Sequence, residues 1–325
     1  MFSKTRVAVL RGGPSSEYDV SLKTGASVIS AIPDSHHPLD VFIDKNGHWH
    51  LHGRREETHA ILGKVELVWN ALHGEYGEDG SIQHLLEMHH IPFIGSPRYP
   101  TLLAMNKALA KNMVANEGIQ TPYFKFYRKE DVNDYQALAN ELYRTFPQPS
   151  VIKPVSKGSS LGVSVTETLE GITYALELAF QDSDAIIVEE FIPGTEAICG
   201  IIEGYRGDNI YTLLPVEVQL APESLFLDYH GKHSGNASFR APGNFSSSLK
   251  RELQQTAITI HELLGLRHFS STDFIVHPTR GIYFLETDSV PVLGEQSAFK
   301  AGLTSVGSSM EHFVEHMLTL ASRQK

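Results

Sequence analysis

The chain has 325 residues, and its 27 Lys and Arg against 38 Asp and Glu give a formal net charge of −11. With 41% hydrophobic and 20% charged residues it reads as a globular protein of two or three domains, not as a disordered chain. The acidic balance disfavours a nucleic-acid partner, and a single cysteine, Cys199, excludes an internal disulfide framework or a multi-cysteine zinc site and fits a reducing compartment.

Arg6–Leu10 reads as a buried strand closed by Gly12-Gly13-Pro14, with no signal-peptide pattern before it. Ser15 or Ser16 is a candidate cap for a helix carrying Val20, Ala26, Val28, Ile29 and Ile32. Val65–Leu72 is a second strand, Asp79–His90 a helix and Ile91–Ile94 a third strand. This alternation predicts a parallel α/β domain with ligands at the carboxyl ends of its strands, where Arg11–Glu17 and His73–Gly80 are the candidate loops.

Pro97 and Pro100 place a boundary near residue 98. Beyond it the pattern predicts a helix over Leu102–Glu117, a strand over Tyr123–Tyr127, a helix over Asp131–Phe146 and a strand over Ser150–Val155. The loop 156–162, a strand to Val165, a helix ending near Phe180 and a strand over Ala185–Ile192 follow. Residues 222–244 form a Gly- and Pro-containing irregular stretch of a length that is uncommon without a function. A helix over Ser246–Leu264, a hairpin over Ser271–Asp288 and a helix over Ser308–Ala321 complete the chain. No apolar run reaches the length of a membrane span. The expectation is a cytoplasmic protein with no membrane and no nucleic-acid partner.

The hairpin carries the clearest chemistry. With its turn centred between Thr279 and Arg280, pairing runs 276/283, 275/284, 274/285 and 273/286. Asp273 then lies opposite Glu286, and Asp288 shares that face. Opposed like charges destabilise a sheet, so a hard divalent cation with oxygen ligands is the natural partner. A register slipped by one would instead leave the acids solvated at a strand end. The loop Lys157–Gly162 follows a strand containing Lys153 and suits either phosphate binding or a plain hairpin tip. It matches neither a Walker motif nor G-x-G-x-x-G. His73–Gly80 is either a substrate-facing loop or only a helix start. His312-Phe313-Val314-Glu315-His316 has the spacing of a zinc motif but no third ligand in sequence, and reads as a solvated helix face. His36-His37 and His89-His90 fall near predicted turns and read as water-facing, whereas Trp49 and Trp69 read as packing residues.

Taken together, six segments in register resemble the D-alanine–D-alanine ligase family of the ATP-grasp superfamily. They are Val7–Ser21 (VAVLRGGPSSEYDVS), Ala71–Gly95 (ALHGEYGEDGSIQHLLEMHHIPFIG), Met105-Asn106-Lys107, Val151–Val163 (VIKPVSKGSSLGV), Val188–Glu196 (VEEFIPGTE) and Asp273–Pro291. The resemblance implies a Rossmann-like parallel α/β domain over 1–98, then a two-lobed α+β ATP-grasp fold over 99–183 and 184–325, with 222–244 covering the site. It implies ATP and two Mg2+ (or Mn2+) ions per site, D-alanine as substrate, a role in peptidoglycan synthesis, and a homodimer.

Residue by residue, the resemblance puts Lys107 and Lys153 on ATP phosphates, with Lys157, Gly158, Ser159, Ser160 and Gly162 in a lid over them. Glu189, Glu190, Phe191 and Ile192 would form the adenine hinge, largely through backbone groups, and Glu196 would reach the ribose. Asp273, Glu286 and Asp288 would hold the metals. Glu17 would bind the ammonium of the first D-alanine, with His73 near its carboxylate and Ser297 on the carboxylate of the second. Ser159 would link Glu17 to the long loop, which brings Lys232 to the phosphate and carries His233.

Four positions depart from the family pattern. Ser271 stands where an oxyanion-stabilising arginine is usual, and Val292 replaces the glycine after the proline. Asp288 replaces an asparagine, and His233 a tyrosine. One lost oxyanion donor typically costs about 10²–10³ in rate. Arg240 and Arg267 are the candidates to compensate. The departures also admit a ligase with another acceptor, D-lactate or a different amino acid, or an ATP-binding protein without ligation.

Overall fold

The computed structural model describes residues 4–158, 161–220 and 237–323. These build three sheets in chain order, each flanked by helices.

The first sheet comprises β1 (Thr5–Gly12), followed by helix α1 (Tyr18–Ala31), then β2 (His36–Ile43), β3 (Trp49–Leu51) and β4 (Arg54–Arg55). Helix α2 (Thr58–Leu62), β5 (Leu67–Asn70), helix α3 (Ser81–Met88) and β6 (Phe93–Ile94) complete it. Strand order is β4-β3-β2-β1-β5-β6, with β2, β1, β5 and β6 parallel. Val7–Leu10 are wholly buried, as a central parallel strand covered on both faces requires. Strand β1 ends at Gly12, whose φ of +94° and contact with Ile43 O, 2.2 Å from where a Cβ would lie, admit only glycine. The chain then turns into α1, with Glu17 rather than a serine at the N-cap position. Strand β2 was not anticipated: His36 is half-buried within it, and only His37 of that pair faces water.

Helices α4 (Arg98–Met105) and α5 (Lys107–Asn116) stand where one helix was expected. Asn106 separates them, its side chain accepting from Leu109 N at 3.0 Å to cap α5. The second sheet, antiparallel in the order β7-β10-β8-β9, contains β7 (Phe124–Arg128), β8 (Ser150–Pro154), β9 (Ser164–Thr166) and β10 (Ala185–Glu190). Helices α6 (Tyr135–Thr145) and α7 (Leu169–Gln181) cover it.

The third sheet holds β11 (Thr195–Glu203), β12 (Ile210–Thr212), β13 (Val216–Leu220), β14 (Ala237–Arg240), β15 (Phe269–His277) and β16 (Gly281–Asp288). Their order is β14-β13-β11-β15-β16, with β12 on β11. Helix α8 (Ser247–Leu263) lies between β14 and β15 in the chain, and α9 (Ala298–Ser305) and α10 (Met310–Ser322) follow β16. Strands β11 to β14 and helix α9 went unread in the sequence.

Helix α10 returns the chain to the first sheet. Phe313 meets Trp69 and Phe269 at ring separations of 6.0 and 5.3 Å, in one core shared with Val7 and Val28. The solvated-face reading of residues 312–316 therefore needs correction. Only His312 and Glu315 are exposed, while His316 bonds Glu203 O at 2.7 Å and stands edge-on to Tyr205. Trp49 and Trp69 are buried as expected, and His89 and His90 are exposed. No helix among the described residues is long and apolar enough to cross a membrane.

Candidate active site

Strands β15 and β16 pair through Ser271/Asp288, Thr272/Thr287 and Asp273/Glu286. A bulge follows, and pairing resumes at 274/284, 275/283 and 276/282. The expected 273/286 pair holds. The expected 274/285, 275/284 and 276/283 pairs do not, because the turn is tighter by one residue and β16 absorbs the difference at Leu285. The bulge thus sets the two carboxylates opposite each other. Asp273 and Glu286 line two adjoining cavities, one between the second and third sheets and one of about 600 Å³ between the third sheet and α1.

The first cavity is ringed by paired charges. Lys107, at the start of α5, reaches Glu286 Oε2 at 2.8 Å and donates to Lys157 O at 2.6 Å. Burial works against its charge, but Glu286 outweighs it and raises its pKa. Lys153 Nζ lies 3.0 Å from Glu189 Oε2, whose partner oxygen lies 3.1 Å from the Lys111 ammonium. Burial alone would raise the Glu189 pKa, yet the two lysines hold it below the ordinary range. Glu189 therefore contributes a buried carboxylate as well as a backbone. The N–H groups of Glu190 and Phe191 are taken by Tyr123 O and Pro149 O, whereas no such bond engages the Ile192 N–H among the described residues. The Glu190 carboxylate accepts from Tyr123 N and faces Arg280. Ile192 and Glu196 line the cavity. Gly162, at φ +72°, closes the loop against Pro154. Lys157, which the resemblance puts in the lid, lines this cavity and pairs with Glu75 at 3.3 Å.

The second cavity is acidic. Glu17, Glu78, Asp288 and Glu295 line it together with Asp273 and Glu286, and Lys23 is the only Lys or Arg among its described lining residues. His73 is buried, with Nε2 2.8 Å from Thr24 Oγ1 and Nδ1 3.9 Å from Glu78 Oε2. Burial, then the charges of Asp288 and Glu17, push the Glu78 pKa well above the usual carboxylate range. Gly158 presses against Glu17, since a Cβ there would sit 2.4 Å from Oε2. Ser297 lines this cavity while its Oγ caps α9 by accepting from Lys300 N. Ser271 and Val292 line it too.

Neither arginine offered for compensation lines either cavity. Arg267 donates to Gly95 O and Phe93 O and lies over the Phe93 ring, and Arg240 is exposed on β14 opposite Glu217. Ser159, Ser160, Lys232, His233 and most of 222–244 lie outside the described residues. Sequence reasoning missed Lys23, Glu78 and Lys111. For Lys111 a signal existed, a lysine one helical turn after Lys107 among Ala108, Ala110 and Val114.

Among the described residues no three His, Cys, Asp or Glu side chains form a ready-made metal cage. The all-carboxylate set of Asp273, Glu286 and Asp288 fits a hard cation that takes its remaining ligands elsewhere.

Comparison with known proteins supplies the frame. Residues 113–319 match the family model of the D-ala D-ala ligase C-terminus, and residues 6–61 and 53–96 that of its N-terminus. The D-alanine--D-alanine ligase of Syntrophotalea carbinolica is 33% identical over 322 residues, covering 98% of this chain and 97% of the relative. That of Halalkalibacterium halodurans is 32% identical over 322 residues, covering 98% and 100%. Among solved structures, the VanG D-Ala:D-Ser ligase from Enterococcus faecalis aligns with a TM-score of 0.84 at 26% identity, covering 98% of this chain and all of that one. D-alanyl-alanine synthetase A from Vibrio cholerae shares the fold, with a TM-score of 0.83 at 24% identity over 99% of each chain.

Proposed function

Because the chain belongs to the D-alanine–D-alanine ligase family, and is thus a ligase, we propose that it joins two D-alanines at the expense of ATP. The product would serve peptidoglycan precursor synthesis in the cytoplasm. The observation that carries this reading is the Asp273/Glu286 pair at the junction of a lysine-ringed cavity and an acid-lined one. Such a junction suits phosphoryl transfer from a nucleotide on one side to an amino acid on the other.

In this reading Lys107 and Lys153 hold the ATP phosphates, the Ile192 amide faces the adenine and Glu196 the ribose. Asp273, Glu286 and Asp288 would hold magnesium or manganese. The metal, when bound, neutralises phosphate charge during transfer. Glu17 binds the ammonium of the first D-alanine, and His73 orients its carboxylate. That carboxylate attacks the γ-phosphorus and ADP leaves, giving an acyl phosphate. The amine of the second D-alanine, its carboxylate held at Ser297, attacks the acyl carbon, loses a proton, and phosphate departs. The loop at 157–162 and the segment 222–244, with Ser159, Ser160, Lys232 and His233, exclude water from the acyl phosphate. The proposed functional units run over 1–98, 99–183 and 184–325, and the proposed working form is a homodimer.

Incubation with ATP, magnesium and D-alanine, with products followed by mass spectrometry, tests this. D-alanyl-D-alanine formed in step with ADP supports it, and no ADP refutes it. A second reading, the same chemistry with another acceptor, is favoured by Ser271 in the acid-lined cavity and by the structural likeness to a D-Ala:D-Ser ligase. Offering D-serine and D-lactate beside D-alanine separates the two.

A further inference from the structure

Lysines 107 and 111 sit one turn apart on α5 and share its buried face. Lys107 reaches the nucleotide cavity, whereas Lys111 is 0% exposed and lines neither cavity. A buried ammonium is costly unless each of its three protons finds an acceptor. Here Thr121 Oγ1 at 2.9 Å and Phe284 O at 3.3 Å accept from it, and Glu189 Oε1, 3.1 Å away, faces it as an ion-pair partner. Burial lowers the Lys111 pKa to about 8, with Glu189 opposing the shift, so at neutral pH the side chain is mainly charged.

The pairing has a consequence at the cavity. Lys153 on β8 stands opposite Ile187 of β10, and Glu189 is two residues along the same face, a diagonal cross-strand neighbour. The Glu189 carboxylate is thereby divided, Oε1 toward Lys111 and Oε2 toward Lys153. Two cations share one anion and the trio keeps a net positive charge. With Lys111 neutral, Glu189 and Lys153 would form a closed neutral pair that an incoming phosphate must break. Lys111 also ties α5 to the carbonyl of Phe284, beside the bulge that sets Glu286 opposite Asp273.

We infer that Lys111 is a positioning residue for nucleotide binding: by holding one oxygen of Glu189 it leaves the other to aim the Lys153 ammonium at the phosphates without neutralising it. The inference rests on the proposed nucleotide role of the cavity. Its test is the affinity of the full chain for ATP with magnesium, measured by titration calorimetry beside thermal unfolding and the KM values for ATP and D-alanine. Lys111→Met, which keeps length and loses charge, weakens ATP binding by about 10- to 100-fold, the range of hydrogen bonds to charged groups. The KM for D-alanine stays within about twofold. Folded Lys111→Met with native ATP affinity overturns the inference.

Should Lys111→Met not fold, the pair Glu189→Gln and Lys111→Met/Glu189→Gln decides the question, for the double variant removes Lys111 and its carboxylate together, and both variants leave Lys153 in the same state at the cavity wall. Because Lys111 acts through Glu189, the double variant binds ATP as Glu189→Gln does; a further tenfold loss overturns the inference. A wild-type protein that binds no ATP overturns the nucleotide reading itself, and this inference with it.

Discussion

The two cavities that meet at Asp273 and Glu286 are built on opposite electrostatic plans. Around the lysine-ringed cavity Lys107, Lys111 and Lys153 each have a carboxylate within 3.1 Å, Lys111 and Lys153 sharing that of Glu189, so every one of these ammonium groups is held by the protein itself. The larger cavity is lined by six carboxylates and one lysine, Glu286 being shared with Lys107 and Glu295 pairing with Lys300, and Glu78 is driven toward its neutral form by burial and by its acidic neighbours. Paired charges hold side chains in place, and the rigid placement lowers the reorganisation needed at the moment of reaction. An excess of one sign instead leaves a site whose balance is completed by what binds, which in the proposed function is a metal ion and an ammonium group. One half of the site is thus organised by the protein, the other by its ligands.

The largest expected effect lies where the halves touch. Gly158 belongs to the loop over the lysine-ringed cavity yet packs on Glu17 of the other one. An added Cβ would meet Oε2 at 2.4 Å and Cδ at 3.1 Å. In Gly158→Ala the loop or Glu17 must give way, and a misplacement of about 1 Å costs roughly 10²-fold in turnover. Thermal stability should stay near wild type, because this loop lies outside every core cluster. Turnover within twofold of wild type would mean that loop and carboxylate move independently, and the contrast between the halves would lose its contact point.

A smaller effect tests the acidic half. Lys23 lies on the α1 stripe with Val20, Ser27 and Ser30 and lines the same cavity as Ser297. If the acceptor carboxylate needs a cation there, Lys23→Met raises the KM for the second amino acid by about tenfold or more, the size of one charge-assisted hydrogen bond. The KM for ATP should not change. An equal rise in both would show that Lys23 supports the whole site and that the two halves are less separate than their charges indicate.

The same contrast explains what could be read in the sequence. The lysine-ringed half is carried by contiguous strands and turns, so Lys107, Lys153, Glu189, Asp273 and Glu286, which line one cavity, could all be singled out in the sequence, and the 273/286 pairing with them. Leu285 shows the limit: a bulge changes the pleat without changing composition, so the pairs nearer the turn were misread. Strand β2 was legible in the alternation of Leu39, Val41 and Ile43 but masked by His36, His37 and Pro38. Lys23 and Glu78 have meaning only once α1, the loop after β5 and the loop before α9 come together, and no local pattern announces that. The spacing of Lys111 from Lys107 hints at its burial, but its partner is visible only once Glu189 is brought beneath it.

The smallest effect concerns the strap between the halves, Lys157 to Glu75. Its side chains are 21% and 43% exposed, so solvent and salt screen the pair, and such pairs contribute about 0.2–1 kcal/mol. Glu75→Ala should therefore change turnover by no more than about fivefold at low salt, and by less at 0.5 M salt. The exchange Glu75→Lys/Lys157→Glu should recover most of that loss, since it restores an ion pair between the same two loops. Lys157→Ala decides what else the lysine does. If the ammonium serves only as a strap, this variant matches Glu75→Ala and the exchange is tolerated. If instead Lys157 leaves Glu75 for a phosphate when nucleotide enters, Lys157→Ala raises the KM for ATP well beyond the Glu75→Ala effect, and the exchange, which places a glutamate beside that phosphate, is worse than either single change. In that outcome the paired half would itself rearrange for its ligand, and the division between a half organised by the protein and a half organised by its ligands would hold for Lys107, Lys111 and Lys153 alone.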